Sequence, residues 1–111
     1  MSNNGDLYVE VKGSTKEKFN DFRPYFTLDE LKKAVEKGKN YKIHILLGID
    51  KSGKPMEHWV ADGSIFSKYG EFVKDAEAFL EQWDKNPNAE QLKPQVMVYL
   101  KNLKGFTKKP V

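Results

Sequence analysis

The sequence predicts a single α+β domain in which helices pack on one face of a mostly antiparallel four-stranded sheet. Three observations predict it. Apolar and polar residues alternate in LYVEVK, YKIHILLGID, KPMEHWVA and PQVMVYLK, the period of half-buried strands. TLDELKKAVEKGK and EFVKDAEAFLEQW instead repeat with the period of a helix. The chain has 111 residues, 39% of them hydrophobic and 13% aromatic, which is enough for one core held by burial alone.

In the first strand Leu7, Val9 and Val11 alternate with Tyr8, Glu10 and Lys12, so the aliphatic set is expected to face the core. Gly13 ends it. Ser14 and Glu17 stand at capping-box spacing and predict a short helix over 15–22 that buries Phe19 and Phe22 and stops before Pro24. Thr27 and Glu30 repeat the device, Leu28, Leu31 and Val35 form the buried stripe, and Gly38 closes the helix. In the hairpin that follows, Tyr41, Ile43, Ile45, Leu47 and Ile49 share one face. Asp50-Lys51-Ser52-Gly53-Lys54 reads as a type I turn with Gly53 in the left-handed position. Pairing Asp50 with Lys54 sets His44 opposite Val60, Leu46 opposite His58 and Lys42 opposite Asp62, with Trp59 and Ala61 in the core. A slip of one residue would turn Trp59 outward and His58 inward. Ile65, Phe66 and Tyr69 lead into a helix carrying Phe72, Val73, Ala76, Phe79, Leu80 and Trp83, with its regular start near Glu71 and its stop at Pro87. The last strand turns Val96, Val98 and Leu100 inward and Met97, Tyr99 and Lys101 outward. The order is β-α-β-β-α-β, that of the ferredoxin-like split βαβ, and right-handed crossovers place both helices on one face. Residues 1–103 form the domain, and 104–111 are expected to be a basic flexible tail.

Composition narrows the function. The absence of cysteine excludes a disulfide framework, thiolate zinc and thiol nucleophiles, and fits a reducing compartment. MSNNGD has no basic segment followed by an apolar one, and the longest apolar run falls far short of the about 18 residues of a membrane span. A cytoplasmic location without membrane contact is expected. The net charge is +3, but residues 1–90 hold 13 lysines and one arginine against 16 acids, a net of −2. The excess lies in Lys93, Lys101, Lys104, Lys108 and Lys109. Arg23 is the single arginine, which argues against base-specific reading of a duplex.

Candidate sites are few. The expected open face of the sheet collects Tyr8, Glu10, Lys12, Lys42, His44, Leu46, His58, Val60, Asp62, Met97, Tyr99 and Lys101. His44 and His58 become diagonal neighbours there. Two imidazoles alone make a poor metal site, and no spacing supplies a third ligand, so neither metal nor cofactor is expected. No G-x-S-x-G or G-x-x-x-x-G-K-[ST] pattern occurs, and Asp29-Glu30 and Glu77/Glu81 sit at a helix start and on a solvated helix face. No catalytic residue is therefore named. LYVEV resembles, over five residues, the first-strand signature of the RNA-recognition motif, which implies bases stacked on an open sheet. The third strand departs from that family, with Met56 and His58 where its aromatics project. FNDFRPYF concentrates four aromatics and the arginine before a helix, and such residues dominate protein-interface anchors.

The first functional reading is a non-enzymatic intracellular protein-binding module, an accessory or inhibitor of a kind common among mobile-element proteins. Its contact residues are Arg23, Tyr25, Tyr8, His44, His58 and Tyr99. The alternative is sequence-tolerant single-stranded nucleic-acid binding through the sheet face and Lys101, Lys104, Lys108 and Lys109. A small enzyme with an unrecognised site is the third reading.

Overall fold

The computed structural model describes residues 6–85 and 94–111, which form a single α+β domain. In chain order the elements are β1 (Tyr8–Gly13), α1 (Phe19–Phe22), β2 (Tyr25–Thr27), α2 (Leu28–Lys37), β3 (Tyr41–Leu47), β4 (Glu57–Asp62), α3 (Gly70–Asp84), β5 (Met97–Tyr99) and β6 (Thr107–Lys109). Short 3-10 turns, Gly38–Asn40 and Gly63–Tyr69, lead into β3 and α3. The main sheet has the order β1-β3-β4-β6, with β1 parallel to β3 and the other pairs antiparallel. A separate two-stranded antiparallel sheet joins β2 to β5.

The β3–β4 hairpin has the expected register, with Lys42 opposite Asp62, His44 opposite Val60 and Leu46 opposite His58. Its turn explains why. The Asp50 carboxylate accepts from the backbone N–H groups of Ser52 and Lys54, both at 2.9 Å, and Gly53 takes φ 87°. Tyr41, Ile43, Ile45 and Leu47 are buried, and Phe26, Leu31, Ala34, Phe66 and Val73 cover them from the helical layer. Trp59 packs on this core while half-exposed. At the start of α2 the capping box is complete: Glu30 N–H donates to Thr27 Oγ1 at 3.2 Å and Thr27 N–H to Glu30 Oε1 at 2.9 Å. The turn after β4 brings Gly63 so close to α2 that a Cβ there would lie 2.3 Å from the Ala34 carbonyl oxygen.

Several expectations are corrected. β1 is turned over: Val9 and Val11 face solvent, and Tyr8, Glu10 and Lys12 lie on the helix-covered face. Parallel pairing sets Tyr8 beside Tyr41, Glu10 beside Ile43 and Lys12 beside Ile45, and at a sheet edge their polar ends reach partners that a central strand could not offer. The strand expected beside the first one in a split βαβ sheet pairs instead with β2, as Tyr25–Tyr99, Phe26–Val98 and Thr27–Met97. Its inward and outward residues are as expected, but Met97, Tyr99 and Lys101 leave the main sheet's open face. The tail is not wholly loose. Thr107–Lys109 pair with β4 as the fourth strand of the main sheet, and Leu103 and Phe106 pack against the core.

The first helix shrinks to four residues because Ser14 and Lys16 are tied to the β3–β4 connection. Ser14 N–H donates to Leu46 O, Ile49 N–H to Ser14 O and Gly48 N–H to Lys16 O. α3 begins at Gly70 and buries Val73, while Phe72 and Phe79 are exposed. Pro87, the expected stop, lies outside the described residues. Among the described residues no helix is long and apolar enough to cross a membrane.

Candidate functional site

Arg23, Tyr25 and Tyr99 are brought together, although the sequence pattern set Tyr99 on the open sheet face apart from the Arg23–Tyr25 segment; pairing of β5 with β2 moves it there. Arg23 ends α1 in the left-handed conformation, φ 51° and ψ 63°, with its N–H donating to Phe19 O. A non-glycine residue there costs about 1–3 kcal/mol and persists where its surroundings fix it. The fixing is visible: Pro24 is buried and its carbonyl accepts from Leu100 N–H at 3.0 Å. Tyr25 and Tyr99 lean together across β2–β5 with ring centroids 5.7 Å apart, and both remain exposed. Beside them Phe19, Asn20, Arg23, Tyr99, Leu100 and Lys101 line a groove of about 580 Å³.

A second constellation escapes hydropathy reading altogether. Lys12 Nζ lies 2.9 and 3.0 Å from the two Glu30 carboxylate oxygens and 3.6 Å from Glu10 Oε2. The three side chains are about four-fifths covered, Lys12 at 18%, Glu10 at 16% and Glu30 at 21% exposure. Burial, followed by the Glu30 charge, pushes the Glu10 carboxyl above its ordinary value against the pull of Lys12. Burial acts the same way on Glu30, but the Thr27 N–H and the Lys12 ammonium outweigh it and hold that carboxyl low. The one available signal was the spacing of Glu10 and Lys12, two residues apart on a strand and so on one face. Tyr8 is part of this layer, its ring stacked on Tyr41 at 4.9 Å, and not of an open face.

His44 and His58 do meet on the open face. Their Nδ1 and Nε2 atoms are 2.8 Å apart, and the ring centroids are 5.0 Å apart with planes 27° from parallel. The centroid separation is close to the N···N distance plus two ring radii, so the nitrogens point at each other. That is one imidazole donating end-on to the other, because two metal ligands would need converging lone pairs. Among the described residues no cluster of three or more His, Asp or Glu could hold a metal.

The tail lysines disperse. Lys109 sits opposite His58, Lys108 lies 5.8 Å from the Trp59 ring, and Lys101 belongs to the groove. Lys104 is exposed beyond β5, its backbone N–H donating to Asn102 Oδ1.

Fold and surfaces together define a small α+β domain with a helix-covered sheet face, an uncovered one and a basic groove beside the minor sheet. The model of the family "Protein NO VEIN, C-terminal" matches residues 2–58, just over half of the chain, and the chain belongs to that family. The matched stretch runs from before β1 into β4 and contains Glu10, Lys12, Arg23, Tyr25, Glu30, His44 and His58. No curated protein and no solved structure matches the chain.

Proposed function

We propose that the chain is a protein-binding module, acting as an accessory or inhibitor by direct contact and without chemistry of its own. The observation that carries this reading is the outer surface of β1. Leu7, Val9 and Val11 stand 60%, 49% and 53% exposed in a row. They lie on and beside an edge strand whose outer side pairs with no strand among the described residues. Aliphatic rows at a free edge are an aggregation hazard unless a partner covers them, and strand addition or face docking would do so. Leu46 and Val60 continue the apolar strip across the open face, and Arg23, Tyr25 and Tyr99 supply anchor-type residues on another side.

The test is capture of partners from the native host by the parent chain and by a Val9→Glu/Val11→Glu variant. The parent should retain a protein through a wash at about 0.5 M salt, since apolar contacts outlast screening, and the variant should lose it. A captured species that leaves with nuclease treatment, or a variant that captures as well as the parent, refutes the reading.

The Glu10–Lys12–Glu30 cluster favours a second reading, a small acid–base enzyme. Neighbouring carboxylates whose surroundings drive their pKa values apart are how a fold assigns an acid and an ionised partner. In that reading Glu10 keeps its proton to higher pH and Glu30 stays charged. Carbon-13 titration of the two carboxyls, and ester and phosphoester turnover with Glu10→Gln as the blank, would test it. Single-stranded nucleic-acid binding has thinner support, because Tyr8 is inside and, of the four tail lysines, Lys109 alone shares the open face with His58, Lys108 lying over the Trp59 ring.

A further inference from the structure

We propose that the groove between α1 and β5 seats an acidic segment of a partner protein. Arg23 and Lys101 would hold its carboxylates, and Phe19, Tyr99 and Leu100 its apolar side chains. The proposal deepens the protein-binding reading and rests on it.

Charge selects the occupant. Among the described residues the groove is lined by two cations and the Asn20 amide, with no Asp or Glu. This is notable in a chain whose first 90 residues carry all 16 acids and a net charge of −2. An unopposed pair of cations at an apolar wall is complementary to a segment that alternates carboxylates with aliphatic or aromatic residues. Arginine is the better of the two for this purpose, because its planar fork meets a carboxylate with two parallel hydrogen bonds.

Backbone geometry adds preorganisation. The left-handed turn at Arg23, closed onto Phe19 and followed by buried Pro24, fixes where the guanidinium stem leaves the chain. Leu100 N–H bonding to Pro24 O joins the two walls of the groove. Little of that framework has to be ordered on binding. A nucleic acid would also meet the cations, but it needs free ring faces for its bases. The Tyr99 ring already leans on Tyr25, so the groove offers apolar walls more than a stacking platform.

The test uses fluorescence anisotropy on the full chain. Three probes are compared: a fluorescein-labelled peptide alternating Glu and Leu, its Gln/Leu counterpart, and a labelled oligo-dT. The acidic peptide should bind, more weakly as salt rises, and the Gln/Leu peptide should not. Arg23→Gly and Lys101→Glu should each weaken the acidic peptide at least about tenfold. Arg23→Gly is the decisive variant because glycine adopts φ 51° without strain, so its melting temperature should hold or rise while binding is lost.

Equal binding of both peptides, or an Arg23→Gly variant that binds like the parent, overturns the proposal. So does an oligo-dT that displaces the acidic peptide from these same residues at lower concentration. Val9→Glu should leave peptide affinity unchanged. If the acidic peptide fails to bind while the β1 variant still loses its partner, only the groove assignment falls. If the peptide binds while the β1 variant keeps its partner, the β1 surface is the part that is wrong.

Discussion

Tyr41 concentrates the cost of building the inner face of β1 from polar residues. Its hydroxyl is buried and has no hydrogen-bond partner among the described residues. Burial first, then the Glu10 and Glu30 charges, push its pKa far above the ordinary 10.0. A buried unsatisfied hydroxyl costs about 1–3 kcal/mol, so Tyr41→Phe should stabilise the protein by about 1 kcal/mol in chemical denaturation. A loss of stability would mean that the hydroxyl serves Glu10. His44 supplies a pH signature. Burial, then His58, lowers its pKa from 6.5, so the folded state binds fewer protons than the unfolded chain. Stability from this group is therefore complete above the unfolded value and is lost as pH falls through the folded one. Between pH of about 7.5 and 5, above the carboxylate range, the parent melting temperature should fall further than that of His44→Gln. Equal falls would show that the imidazole pair does not couple to folding.

At the scale of elements, legibility followed locality. The β3–β4 hairpin was readable because Asp50 and Gly53 fix the turn chemistry within five residues, and α2 because Thr27 and Glu30 close their own box. What depended on distant partners was not readable. The helix expected from Ser14 was overruled by hydrogen bonds from residues 46–49, and β5 was drawn away from the main sheet by β2. Of the site, Arg23 and Tyr25 are neighbours in the chain, but Tyr99 joins them only through the β2–β5 pairing, which the sequence pattern did not show. The Glu30 half of the charged cluster comes from another element and left no local trace. Gly63 shows the same limit, its role being set by the Ala34 carbonyl of α2. Gly63→Ala should force α2 from the sheet and cost about 1–3 kcal/mol, read as a lower denaturation midpoint with an unchanged slope. Deleting 104–111 should also destabilise, because it removes β6 and Phe106 from beside β4 and the core. Thermal melts should show a loss of about 4–8 °C for each kcal/mol removed. A truncated chain that melts like the parent would mean that β6 adds nothing to the sheet.

On the scale of the whole molecule, one layer of helices covers one face of the sheet, and β1 shows which face is which. Hydropathy assigns Val11 to the interior and Lys12 to solvent, and the structure reverses them. Val11 is 53% exposed on the uncovered face, whereas Lys12 stands under the start of α2 between Glu10 and Glu30. The parallel pairing with β3 makes this an all-or-none choice, since a shift of one residue would exchange every side chain between the faces. Two charge substitutions at adjacent positions therefore separate the arrangements. Val11→Glu adds a carboxylate to solvent beside His44 and should change stability by no more than about 0.5 kcal/mol. Lys12→Glu replaces the cation shared by two partly buried carboxylates with a third negative charge, and should cost about 2 kcal/mol or more. Part of that cost should be recovered as pH falls and the carboxyls protonate, Glu10 first because its pKa is already raised. Paired urea titrations of the two variants at neutral and mildly acidic pH would decide the matter. A strongly destabilised Val11→Glu beside a tolerated Lys12→Glu would turn β1 over. It would also return the valines to the core and remove the exposed row on which the protein-binding reading stands.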